Sequence, residues 1–375
     1  MGKATLPLTA KETDALREQC TRIVPGYREG DPGEELIRVG EWCREHGHRA
    51  DRYGEGPLIE AFEAKIAALT GKEAAVFMPS GTMAQQIALR IWAEESGVAH
   101  VGMHPTSHVE LHEERGYARL HGLEATLLGA RNRPMLVADL ERCPERLAAL
   151  LVELPAREIG GQLPTWDELV ALSALARTRG VRLHMDGARF WEAREAYAPR
   201  THAEICALFD SVYVSLYKGI GALSGAMLLG PAAFVRAARV WRRRHGGTLV
   251  QLHSAVASAA MRFDDALARM PALRSRAMTL AAGLAAMPGV TVLPSPPQVN
   301  MFHLYIAADA EALIAARDRM AAESRVWIAP RFRAATIPDH AMAEFNVGDN
   351  LLDLPDAFVL PLFERLLAYA RAPAA

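Results

Sequence analysis

Ala74-Ala-Val-Phe-Met-Pro-Ser-Gly-Thr-Met-Ala84 reads as an apolar strand that stops at a polar turn and restarts as a helix. Ala74–Met78 is short and continuously apolar, Pro79-Ser-Gly-Thr82 punctuates it, and Met83–Ala93 carries helical spacing. The alternation continues on both sides. Leu58–Leu69 is an amphipathic helix; Val98–Gly102 and Leu150–Leu154 are candidate strands. Thr165-Trp-Asp-Glu168 is a capping box opening a helix through Ala176. Val181–Met185 and Ser211–Leu216 follow as strands, the second running to Lys218. Strand then helix, repeated, predicts an α/β domain with a parallel sheet covered on both faces.

Three segments are expected. Residues 1–50 read as a polar N-terminal arm with helical patches around Ala10–Cys20 and Glu34–His46. Residues 51–262 form the large α/β domain. Residues 263–375 form a smaller α+β domain, with helices at Leu273–Met287, Asp309–Ala322 and Phe358–Ala370 and strands at Gly289–Leu293 and Asn300–Ile306.

Composition limits the function classes. Half of the 375 residues are hydrophobic and the formal net charge is −2, so nothing global points to nucleic acid or an anionic membrane. The run Val240-Trp-Arg-Arg-Arg-His245 is expected to be a solvated helix face. Four scattered cysteines without a Cys-x-x-Cys read as reduced thiols. With no apolar signal core or membrane-length apolar run, a cytoplasmic location is expected.

One compositional oddity falls at a strand end. The chain has five lysines against 37 arginines, and Lys218 is the only lysine after Lys72. It sits in the apolar, glycine-rich Ser215-Leu-Tyr-Lys-Gly-Ile-Gly-Ala222. A lysine amine can lose its proton and condense with a carbonyl; a guanidinium cannot. Two further strand ends carry polar groups. Ser80-Gly-Thr82 opens a helix whose free N–H groups suit a phosphate, or is an ordinary N-cap. Asp186, in Leu183-His-Met-Asp-Gly-Ala-Arg189, is either the partner of a pyridinium nitrogen or an N-cap paired with Arg189. His104, His108 and His112 are spaced by four, but Pro105 interrupts them, so stacking of His108 on an aromatic cofactor, or a plain polar loop, is preferred to a metal site. A phosphate turn, a buried acid and a reactive lysine together match the demands of pyridoxal phosphate.

Several stretches resemble the low-specificity threonine aldolase and β-eliminating lyase family of fold-type-I pyridoxal phosphate enzymes. They are Asp51-Arg-Tyr-Gly-Glu-Gly-Pro57, Gly71 through Ala84, His108-Val-Glu-Leu-His-Glu113, His184-Met-Asp-Gly-Ala-Arg189 and Tyr217-Lys-Gly219, spread over most of the chain. The resemblance implies a large domain built on a mostly parallel seven-stranded sheet, with a smaller C-terminal domain. It implies that Lys218 condenses with the cofactor and Asp186 pairs with its ring nitrogen. His108 would stack on the ring and relay a proton, while Ser80, Gly81 and Thr82 hold the phosphate. Arg189 would face the substrate carboxylate or a cofactor oxygen. Tyr53 would reach in from a neighbouring subunit, since family members are homodimers or homotetramers with shared sites. No metal, nucleic acid or membrane partner is expected, and the substrate would be a small amino acid.

The substrate half departs from the pattern. Cys20-Thr-Arg-Ile23 stands where the family has a serine-bearing strand, Glu344-Phe-Asn-Val-Gly348 where it has a carboxylate-binding arginine, and Val250 where an arginine is usual. Arg331 or Arg333 could substitute. The expected reaction is retro-aldol cleavage of a β-hydroxy-α-amino acid to glycine and an aldehyde. The alternatives are β-elimination or transamination of another amino acid, and a non-catalytic cofactor-binding homologue.

Overall fold

A computed structural model describes residues 9–372. The chain divides into two compact units, residues 30–270 and residues 1–29 together with 271–375. The division falls at Pro271, inside the helix His253–Ala285. The expected N-terminal arm is structured: helices Ala10–Glu18 and Pro32–Glu45 are capped by Thr9 and Asp31. In the unit holding both termini, β1 (Arg22–Ile23) pairs in parallel with Val326–Trp327.

The larger unit is built on seven strands: β2 (Ala74–Met78), β3 (His100–Met103), β4 (Glu124–Leu127), β5 (Ala149–Glu153), β6 (Arg182–Gly187), β7 (Ser211–Ser215) and β8 (Ala226–Gly230). Their order across the sheet is β2-β8-β7-β6-β5-β3-β4. Only β8 runs against its neighbours. The reversal has a local cause. The Leu216–Gly225 connection is too short for a helical crossover, which takes about a dozen residues or more, so the chain turns back beside β7. Helices cover both faces, which is why β7 and β8 are buried at every position.

The helix Gly81–Ser96 lies on this sheet and buries ten of its sixteen residues. A polar chain ties it down. Trp92 Nε1 donates to Ser211 Oγ at 2.8 Å, and His184 bridges Ser211 Oγ and Gln85 Oε1, both at 2.7 Å. Burial pushes the His184 ring down to about 3, so it is neutral, and its two partners assign one nitrogen as donor and the other as acceptor. One network thus fixes the start of this helix against β6 and β7, the strands that lead to Asp186 and Lys218.

The Arg-rich run is not wholly a solvated face. It ends the helix Ala232–Arg244, and helical spacing turns Arg242 inward, where it is 3% exposed and donates to the Phe77 carbonyl at 2.8 Å.

The smaller unit contains β9 (Val290–Leu293), β10 (Met301–Ile306), β11 (Val326–Trp327, the partner of β1), β12 (Arg333–Ala334) and β13 (Ala341–Asn346). Four of them form an antiparallel sheet in the order β12-β13-β10-β9. Its core includes Phe302, Phe345 and Phe363, with Phe302 stacked on Phe345 at 5.3 Å. Helices Ala310–Ser324 and Asp356–Arg371 contribute Leu313, Met320, Val359 and Leu366 to it. Among the described residues, no helix is long and apolar enough to cross a membrane.

Candidate active site

Parallel strands end together, so residues that follow them converge at one edge of the sheet. Here β5 ends in Glu153, β6 runs through Asp186, and the turn after β7 carries Lys218. Glu153 and Asp186 are register partners on adjacent strands. Lys218 is mostly buried. Its amine is pushed below the usual lysine range by burial and by Arg189, against the opposing pull of Asp186 and Glu153. A lowered lysine keeps more of its free nucleophilic amine near neutrality.

Asp186 is 1% exposed, and its Oδ1 accepts from the Ala188 N–H at 3.1 Å. Burial raises its carboxyl, while Lys218 draws it down. Glu153 was not among the residues expected from sequence. Burial and the neighbouring Asp186 push it up to about 7, while His108 and Arg189 pull it down. Two carboxylates side by side cannot both ionise freely without a cation. The signal was readable: like Asp186, Glu153 is an acid closing an apolar strand.

His108 opens the short helix His108–Leu111, and its Nδ1 lies 3.0 Å from Oε1 of the buried Glu113. With Nδ1–H directed at the Glu113 carboxyl, Nε2 is the ring nitrogen left for other partners. Glu113 is a second residue that the sequence reading did not single out. The three spaced histidines do not converge: His104 is held by Thr106 Oγ1 at 2.7 Å and by the Ala130 carbonyl at 2.9 Å.

At the end of β2, Ser80 caps the helix Gly81–Ser96, its Oγ accepting from the Met83 N–H at 3.2 Å. Gly81 is required there, because a Cβ would run into the Tyr213 hydroxyl. Tyr213 is buried, and Asp186 and Glu113 both act on it electrostatically, which links the Ser80 turn to the acid end of the site. Thr82 follows on the first turn of the helix. Arg189 stands at the N-cap of the helix Phe190–Ala193, close enough to Lys218 to lower it.

Tyr53 is half-exposed on this chain and holds a left-handed backbone, φ 55°, which costs a non-glycine residue. The loop is clamped. Asp51 accepts from the N–H groups of Gly54 at 2.9 Å and Leu252 at 2.7 Å, and the Tyr53 N–H donates to the Val250 carbonyl at 3.0 Å. Arg331 and Arg333 belong to the other unit, Arg333 on β12.

The donor set fits pyridoxal phosphate. A glycine-opened helix start presents N–H groups to an anion. The nearly fully buried Asp186 calls for a cationic partner such as a protonated ring nitrogen. A mostly buried amine lies within electrostatic reach of Asp186 and Glu153. The hydroxyl of the fully buried Ser107, beside His108, has no hydrogen-bond partner among the described residues.

Comparison with known proteins places the chain among relatives of one fold and family. A solved structure from Listeria monocytogenes EGD-E, provisionally assigned as an L-allo-threonine aldolase, is 38% identical with a TM-score of 0.89, over 95% of this chain and 99% of that one. Aldolase vrtJ of Penicillium aethiopicum is 37% identical over 54% of this chain; the match spans about half of that protein, 53% of its length. Low-specificity L-threonine aldolase 1 of Arabidopsis thaliana is 27% identical over 68% of this chain and 73% of its own. The architecture is that of the fold-type-I pyridoxal phosphate enzymes. The family model for beta-eliminating lyases matches residues 36–309, most of the chain and every strand from β2 to β10, and the chain belongs to that family.

Proposed function

We propose that the protein is a pyridoxal phosphate-dependent carbon–carbon lyase that cleaves a threonine-like β-hydroxy-α-amino acid to glycine and an aldehyde. The observation that carries the reading is the joint placement of Lys218, Asp186, Arg189 and the Glu113-oriented His108 at one sheet edge. Relatives named as threonine aldolases support it.

When bound, the cofactor supplies a carbonyl for the substrate amine and a ring that takes up the electron pair of the broken Cα–Cβ bond. The protein's own groups do the rest. The helix start at Ser80-Gly81-Thr82 would hold the phosphate. Asp186, kept out of water, would keep the ring nitrogen protonated. Lys218 would hold the cofactor through its amine. Arg189 pairs with a carboxylate. His108 Nε2, left to accept because Nδ1–H faces Glu113, takes the β-hydroxyl proton as the aldehyde leaves and relays it to Cα, completing glycine.

Purified protein supplied with pyridoxal phosphate is expected to release aldehyde and glycine from threonine, allo-threonine or phenylserine. No glycine from any β-hydroxy amino acid sinks the reading. Ammonia with a keto acid, and no aldehyde, would instead mark an elimination or transamination.

The working form is proposed to be a cytoplasmic homo-oligomer in which Tyr53 serves a neighbouring copy's site. Tyr53, Leu249 and Val250 are all exposed, and Tyr53 bonds to Val250 through the backbone. Burying such side chains supplies free energy for association. Light scattering is expected to return a multiple of 40.9 kDa; a single-chain mass at assay concentration overturns the shared site.

A further inference from the structure

The turn that carries Lys218 rests on a carboxyl that the proposed chemistry leaves unused. Glu192 lies in the otherwise apolar Phe190–Ala193 helix and is 4% exposed. Its Oε1 fills the space that a side chain on Gly219 would need. Its Oε2 has no hydrogen-bond partner among the described residues. Burying a carboxylate this way is costly unless nearby charge compensates. Burial does push the Glu192 carboxyl up, but the Arg189 guanidinium and the Lys218 amine draw it back down. A leucine or glutamine would fill the same volume at less cost, so packing alone does not account for an acid here.

We propose that Glu192 is a positioning residue of the active site: a buried carboxylate, wedged against Gly219, that fixes the Lys218 turn and balances the Arg189 guanidinium beside it. The proposal rests on the function above for what Lys218 does, though not for where the groups stand. The charges around the amine are few and named. Arg189 and Arg157 drive its proton off, and Asp186 and Glu153 hold it on. Glu192 answers the strongest of these, Arg189, which is also the cation acting most on Glu192 itself. With Glu192 neutralised, the pull of Arg189 on the amine is less opposed.

The test reads the amine directly and does not need turnover. Full-length protein is freed of cofactor with hydroxylamine and methylated reductively with formaldehyde and cyanoborohydride across the neutral and alkaline range. The Lys218 peptide is quantified by mass spectrometry, with Lys65 and Lys72 as internal references. Glu192→Gln keeps the volume and removes the charge. The Lys218 titration midpoint is expected to fall by about one pH unit, making the amine roughly tenfold more reactive below it. Gly219→Ala displaces the carboxyl and is expected to move the midpoint the same way. Adding Glu192→Gln to Gly219→Ala should then add nothing, because both act through one contact. Glu192→Asp is expected to restore part of the native midpoint.

An unmoved midpoint in Glu192→Gln, with native circular dichroism, overturns the proposal. So does additivity in the double variant. If Glu192→Gln does not fold, an unmoved midpoint in Gly219→Ala overturns it alone. Failure of the aldolase assay with a shifted Lys218 midpoint would reject the reaction and keep the positioning role.

Discussion

Lys218→Ala is expected to lower aldehyde release by about 10⁴-fold or more, the scale seen when a covalent catalytic group is removed. The other lysines of the larger unit are engaged elsewhere. Lys65 is tied to Asp264 at 2.7 Å, and Lys72 donates to the Phe209 carbonyl. Loss of charge alone would be a rival explanation, because Lys218 is a cation facing Asp186 and Glu153. Lys218→Arg separates the two. It keeps a cation in the site but cannot condense with a carbonyl. The arginine variant is therefore expected to be as inactive as the alanine variant. Steady-state assay with threonine decides it: an arginine variant within about a hundredfold of native would mean that charge, not nucleophilicity, is what Lys218 supplies.

Asp186→Asn is expected to lose about 10²–10³-fold in turnover while gaining stability in the cofactor-free protein. Asparagine keeps an oxygen for the Ala188 N–H but carries no charge to hold a proton on a ring nitrogen. The stability gain follows from the direction of the pKa shifts. Burial raises Asp186 from 3.8, and burial with Asp186 raises Glu153 from 4.5 to about 7. A raised carboxyl contributes stability that is fully present below its unfolded value and lost as the pH climbs through the folded one. Native protein should therefore weaken between about pH 4.5 and about pH 7 as the pair is forced to ionise. The amide removes one member of the pair and the repulsion that raises the other. Urea midpoints are expected to favour Asp186→Asn at mildly alkaline pH and to converge with native at low pH. A variant less stable at every pH would show that Asp186 is kept for structure. Stability given up for a functional charge is a common trade at active sites.

How much of this was legible beforehand depends on the reach of each signal. The Ser80 turn, Asp186 and Lys218 announce themselves locally, each polar group closing an apolar run, and the alternation around them fixed the fold class. Two strands of the main sheet were not legible. β4 has only intermediate and exposed positions, so it carries no buried stripe. β8 follows β7 without the helix that strand–helix alternation leads one to expect. Arg242 was hidden by its neighbours, since three consecutive arginines look alike until a helix turns one of them inward. Glu113 and Glu192 needed tertiary placement to be noticed. One is defined by the ring it faces, the other by the missing side chain of Gly219.

The place of β2 bears on the order in which the protein acquires its site. Within the sheet β2 touches only β8, with Ala74 opposite Gly230 and Met78 opposite Ala226. A growing chain exposed only as far as Lys218 already contains the amine, the acid and the Ser80 turn. It still lacks β8, the strand with which β2 pairs. Such distant pairing forms slowly, because a long loop must close before any contact rewards it. Until the chain has passed Gly230, the turn that ends β2 is tied to β6 and β7 through its helix and not yet through the sheet.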